Sequence, residues 1–276
     1  MHAAHARAAM VLLAGLLMLV FSGLALQAAW SYEASSAEMA ALMDADEKLD
    51  ELTERTLEIL SLGFYESAKH NGQRLEQLNT LRQSQADETL LWTLCFLAAV
   101  ALAMCMALWA PDRRKALGVI TAWSSVPALI VGIAAPILVI VAYKELPVLG
   151  ETVLKIDSKG IASSVDTLFR TGNAVVALII LLFSILFPAL KTFTLIAATI
   201  PDWRGWVGLP MHWLHVLGRW SMADVFVVAL LLTYFVADKS DVTRAEVQTG
   251  FYFFLSYVLL SQIATWALDR EPLRSD

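Results

Sequence analysis

The sequence predicts an all-α polytopic membrane protein. It has about six transmembrane helices, an external helical hairpin after the first span, and a small external β-hairpin between spans three and four. Three observations predict this class. Hydrophobic residues make up 58% of the 276-residue chain and charged ones 17%, against roughly half and a quarter in soluble domains. The apolar residues gather in runs of about 16 to 27, long enough for a helix to cross about 30 Å of hydrocarbon. The basic residues of the short loops fall on one side of those runs. Barrel strands would be about ten residues of alternating character, so these runs read as helices.

Span one covers residues 8–30. Arg7 gives it the positive flank of a secretory signal. The run is longer than a signal core of about 7–15 residues, and the small-residue pattern near Ala28 and Ala29 is a poor cleavage site, which predicts a retained anchor. Spans two to six cover residues 90–110, 117–143, 174–198, 222–237 and 251–268. Arg7, the Arg113-Arg114-Lys115 cluster, Arg204 with Arg219, and Arg270 with Arg274 share one side, which the positive-inside rule makes cytoplasmic, both termini included. Trp30, Trp92, Trp109, Trp203, Trp220 and Trp266 stand at the expected membrane boundaries. The chain divides into residues 1–116, a two-span anchor, and residues 117–276, a four-span module.

The anchor carries an external segment, residues 31–87, rich in Asp and Glu. Leu42, Ala45, Leu49, Leu52, Thr56 and Ile59 follow a 3-4 spacing that makes a helix–helix seam. Gly63 or Asn71-Gly72 supplies the turn between two antiparallel arms. Such a hairpin is either a solvated spacer or a docking and sensing surface. Between spans three and four, Val153 to Ile156 and Ile161-Ala162 flank a turn at Asp157-Ser158-Lys159-Gly160. Ser163 or Ser164 then caps a short helix through Phe169, ended by Gly172 or Asn173.

Polar residues inside the spans are where this sequence can hold chemistry. Lys191 sits in span four, and a lysine at the bilayer centre costs about 2.5–3.5 kcal/mol on insertion scales. It either snorkels to the cytoplasmic interface or pairs inside the bundle. Asp224, within the first turn or so of span five, lies near the same depth, and pairing would remove most of the penalty on each charge. Ser184 lies two turns before Lys191 on the same face, and Ser261 and Thr265 share a face of span six. Together these residues form a polar track, or else the hydroxyls bond their own helix carbonyls. Pro188 kinks span four and frees backbone carbonyls. Residues 201–220 read as an amphipathic interfacial stretch; its His212 and His215 have no carboxylate or cysteine beside them, so no metal site is expected.

The exclusions are as informative. A net charge of −6 with no basic stripe argues against nucleic acid. Cys95 and Cys105 lie in one apolar run and offer neither a disulfide framework nor a zinc ribbon. No nucleotide-binding loop, nucleophile motif or metalloprotease motif occurs, so no nucleotide, cofactor or enzymatic activity is expected.

Leu186-Phe187-Pro188-Ala189-Leu190-Lys191, followed by Leu217-Gly218-Arg219-Trp220-Ser221-Met222-Ala223-Asp224-Val225-Phe226, resembles the paraquat-inducible protein A family. The resemblance covers residues 117–268. It implies a bacterial inner-membrane subunit that takes part in lipid transport between membranes and in envelope integrity. Its partners would be membrane lipid and an MCE-domain periplasmic protein. It also implies a four-helix, claudin-like module with an external β element, and an intramembrane polar cluster at Lys191, Asp224, Ser184 and a span-six hydroxyl, Ser261 or Thr265. Familiar members carry two modules, each with a four-cysteine zinc ribbon; this chain has one module without those cysteines, plus two extra spans and a hairpin. The competing expectation is a structural or stress-sensing membrane protein that acts through its periplasmic hairpin and transports nothing.

Overall fold

The computed structural model describes residues 13–39, 64–146, 150–200 and 243–268. In chain order these form α1 (Leu13–Met39), α2 (Phe64–Leu108), α3 (Arg113–Ala134), β1 (Pro136–Leu146), β2 (Gly150–Gly160), α4 (Ile161–Arg170), α5 (Ala174–Ile180), a π-helical segment (Leu181–Leu186), α6 (Phe187–Thr199), β3 (Thr243–Val247) and α7 (Thr249–Leu268). Five helical stretches among the described residues are long and apolar enough to cross a membrane: Leu13–Met39, Gln83–Leu108, Arg113–Ala134, Ala174–Thr199 and Thr249–Leu268. The chain is a mostly helical, multi-pass membrane protein. The expected fifth span (222–237), the interfacial stretch (201–220), the seam (42–59) and Gly63 lie outside the described residues.

α1 and α2 run antiparallel. Phe21 stacks on Trp92 with ring centroids 6.0 Å apart, Ser35 donates to Gln85 Oε1 at 3.0 Å, and Arg74 pairs with Glu38 at 2.6 Å. Partners rise along α1 as they fall along α2. α2 contains 45 residues, about 68 Å at 1.5 Å per residue. Only the part from Gln83 is apolar enough to span, so the rest extends the helix by about 28 Å. Asn71-Gly72 therefore lies inside a helix and makes no turn. A mid-helix glycine costs about 1 kcal/mol relative to alanine, which a 45-residue helix absorbs.

Span three ends earlier than its apolar run. α3 stops at Ala134, Ala135 is extended (φ −84°, ψ 154°), and Pro136 opens β1. A residue before proline is pushed out of the helical region, and the Ile/Val-rich run that follows suits a strand as well as a lipid-facing helix. The sheet has the order β2-β1-β3, both pairings antiparallel. Asp157, Ser158 and Lys159 pair with Ile140, Val139 and Leu138, so they belong to β2 and not to a turn. Pairing with β1 overrides their local turn preference, and the last pair before the reversal is Leu146 with Gly150. Gly160 ends the strand and caps α4: its N–H donates to Ser163 Oγ at 2.9 Å. Beyond α4, Gly172 takes φ +83°, the left-handed conformation that commonly terminates helices.

α3 and α7 form the centre of the bundle and run antiparallel, Gly118 facing Leu268 at one end and Gly132 facing Phe254 at the other. A Cβ on Gly132 would stand 2.8 Å from the backbone of Phe254, and one on Gly250 would stand 2.5 Å from the Ala135 carbonyl. Both glycines permit backbone contact that no side chain allows. α1 runs parallel to α3: Met18 meets Ser124 at one end, and Trp30 Nε1 donates to the Ala134 carbonyl at the other. The main core joins Met18 and Ala25 of α1, Phe96 and Val100 of α2, Ala128 and Val131 of α3, and Phe253 and Tyr257 of α7. The two extra spans thus share a core with α3 and α7. Large apolar side chains on the outer faces, among them Leu90, Leu94, Trp123, Val175, Leu178 and Leu259, are exposed, as a bilayer-facing surface requires.

A candidate site around Lys191

The span that holds Lys191 is not a regular helix. From Leu181 to Leu186 it winds as a π-helix, and the N–H of Phe187 reaches back five residues to the Leu182 carbonyl. Pro188 follows at once, and it has no N–H to return to Ser184. A widened turn beside a proline leaves carbonyls available to other donors, and such bulges are frequent at functional sites. The Pro188 carbonyl is bonded by Thr192 Oγ1 at 2.9 Å within its own helix and by Tyr257 Oη at 3.0 Å from α7.

One turn on, Lys191 is 3% exposed, and its Nζ donates to Ser261 Oγ of α7 at 3.0 Å. Ser261 is fully buried and donates in turn to the Val258 carbonyl at 2.9 Å. The serine proton is committed to its own helix, so its lone pairs are left facing the amine. This answers the snorkelling alternative. Lys191 lies eight residues before the end of α6, about 12 Å along the axis, and its amine turns inward to α7. The contacts at Tyr257–Pro188 and Ser261–Lys191 rise together along both helices, so α6 and α7 run in the same direction.

Of the expected cluster, the fold joins Lys191 to Ser261 and places Pro188 beside them. Ser184 is half buried, and no hydrogen bond joins it to Lys191 or Ser261 among the described residues. The π-helical winding from Leu181 to Leu186 takes more residues per turn than an α-helix, so seven positions no longer make the nearly two full turns on which stacking Ser184 over Lys191 depends. Thr265 bonds the Ser261 carbonyl of its own helix at 2.7 Å, the local alternative for its hydroxyl. Asp224 lies outside the described residues. Tyr257 is the residue that sequence reasoning passed over. Its signal was present: a hydroxyl-bearing aromatic four residues before Ser261, on the same helical face of an apolar span.

Chemically, the site offers an amine buried between two spans and bonded across them to a serine. Such a group can hold an anion or stage a proton, the usual work of ionisable groups inside membranes.

The comparisons with known proteins bear on the same region. The profile described as Paraquat-inducible protein A matches residues 127–275. A Haemophilus influenzae protein named "Probable intermembrane transport protein" is 28% identical over 115 residues, which is 40% of this chain and 27% of that protein. The chain thus spans well under two thirds of that relative. No solved structure matches this chain. The family match covers more than half the chain and takes in α5, the π-helical segment, α6 and α7; the chain belongs to the paraquat-inducible protein A family.

Proposed function

We propose that this chain is a non-enzymatic inner-membrane subunit of a system that moves lipid between membranes, and that the Lys191–Ser261 pair is its working site. The observation that carries the reading is a lysine 3% exposed between two spans, bonded across them and set beside a π-helical turn, within the stretch that matches the family. A lysine buried so deeply is expensive for a merely structural role, because apolar residues of like volume usually pack as stably. An amine there suits a phosphate-bearing or proton-coupled step. The name of the Haemophilus influenzae relative supports transport between membranes.

In this reading both termini are cytoplasmic, following the basic residues at the α2–α3 connection. The β2-β1-β3 sheet and the extended start of α2 then face the periplasm, where an MCE-type protein would dock. The test is Lys191→Met, which keeps the volume and removes the amine. The expected result is normal protein level and fold with loss of outer-membrane integrity and of lipid transfer. Wild-type transfer by the folded variant overturns the assignment.

A further inference from the structure

We propose that the cleft between α1, α2 and α3 is a lipid site that takes an acyl chain of an anionic glycerophospholipid, with the phosphate at Arg113 and Lys115. The cleft has a volume of about 600 Å³ and is partly open. That volume lies within the roughly 300–1,000 Å³ of small-molecule pockets. Its walls include Gly15 and Met18 of α1, Met106 of α2, and Ile120, Trp123 and Pro127 of α3. The lining is apolar apart from the Trp123 indole and the Ser124 hydroxyl, whose one proton is shared between the Ile120 carbonyl at 2.7 Å and Met18 Sδ at 3.2 Å. A wall so largely apolar favours hydrocarbon over water.

Position and charge choose the occupant. The lining takes residues within 14–19 of α1, residues 103 and 106 near the end of α2, and the middle of α3, the helix that begins at the basic connection. Along α3 the lining runs from Val119 to Pro127, about 9–21 Å from Arg113 at 1.5 Å per residue. In a hydrocarbon core of about 30 Å, that stretch runs from within one leaflet to a little past the midplane, a depth an acyl chain reaches. At the start of the same helix, Arg114 packs over the Trp266 ring at 5.6 Å, while Arg113 and Lys115 stand exposed on either side of it in sequence. Basic residues at the membrane surface attract anionic headgroups, so the complement is a lipid with a negative phosphate and no balancing amine. Gly15 helps to keep the cleft open: a Cβ built on it meets nothing within 4 Å. A large side chain there would fill the cleft without displacing a neighbour.

The site stands apart from Lys191 and does not depend on whether that residue works in transport. The experiment uses the full chain in nanodiscs doped with phosphatidylglycerol that carries a diazirine on its acyl chain. Crosslinked peptides are mapped by mass spectrometry. The expected result is labelling of the lining of α1 and α3 at least five-fold above the exposed α5 face around Val175 and Leu178. Excess phosphatidylglycerol should displace it, and excess phosphatidylcholine should not. Gly15→Phe should abolish the excess labelling, and Arg113→Gln with Lys115→Gln should remove the preference for the anionic lipid. Labelling of the lining no stronger than that of α5, or equal displacement by both lipids, overturns the proposal in the wild-type protein alone. Undiminished labelling in a folded Gly15→Phe protein also overturns it.

Discussion

Replacing Ser261 with alanine isolates the bond on which the candidate site rests. The mutation removes an acceptor of Lys191 Nζ at 3.0 Å and leaves the backbone of α7 untouched. Bonds to charged groups contribute about 1.5–3 kcal/mol in soluble proteins, but interhelical bonds in membrane bundles average about 0.6 and reach about 1.7. Both partners are almost wholly buried, and Ser261 is pre-oriented by its bond to the Val258 carbonyl, so the value belongs near the upper membrane limit. We expect Ser261→Ala to destabilise the folded state by about 1.5 kcal/mol, roughly a ten-fold change in the unfolding equilibrium. The assay is unfolding by sodium dodecyl sulfate in mixed micelles, followed by circular dichroism. Thr265→Val is the internal control. Its hydroxyl bonds its own helix, so the change should stay within about 0.5 kcal/mol. A double-mutant cycle with Lys191→Met should return a coupling of about 1 kcal/mol or more. Ser261→Ala indistinguishable from wild type, together with additive behaviour in the cycle, would show that the bond contributes nothing and would refute this reasoning.

Two further outcomes follow from the packing around that site. Tyr257→Phe removes the bond to the Pro188 carbonyl at 3.0 Å but leaves that carbonyl its bond from Thr192, so the cost should be about 0.5–1.5 kcal/mol in the same unfolding assay. Gly132→Ala places a Cβ 2.8 Å from the Phe254 backbone and should destabilise by about 1–3 kcal/mol. Gly15→Ala, which meets no atom, should be neutral or slightly stabilising by comparison.

The parts that could be read from the sequence are those fixed by transfer free energy. Runs such as those ending at Leu108 and Leu268 are spans because nothing else can bury them, and the basic cluster at Arg113 to Lys115 marks a connection for the same reason. Reading failed where two structures serve the same apolar run. Residues 136–143 are as hydrophobic as a helix end, and only the pairing of β1 with β2 and β3 makes them a strand. Residues 157–160 carry turn chemistry that the same pairing overrides. Asn71-Gly72 is a turn signal in an isolated peptide, but it stands in a 45-residue helix.

The candidate site shows the same division at higher resolution. The cost of burying Lys191 is a property of one residue, so its importance is visible in the sequence alone. Its partner depends on the phase of the helix, and phase is what the π-helical segment alters. Seven residues separate Ser184 from Lys191, nearly two α-helical turns, and the wider winding between Leu181 and Leu186 offsets that alignment. α7 holds its phase, so Tyr257 and Ser261, four residues apart, meet Pro188 and Lys191, three residues apart on α6. The irregular span therefore points its amine at the regular one. A change that restored regular winding above Pro188 would rotate the preceding part of the span relative to Lys191 and leave the bond to Ser261 intact.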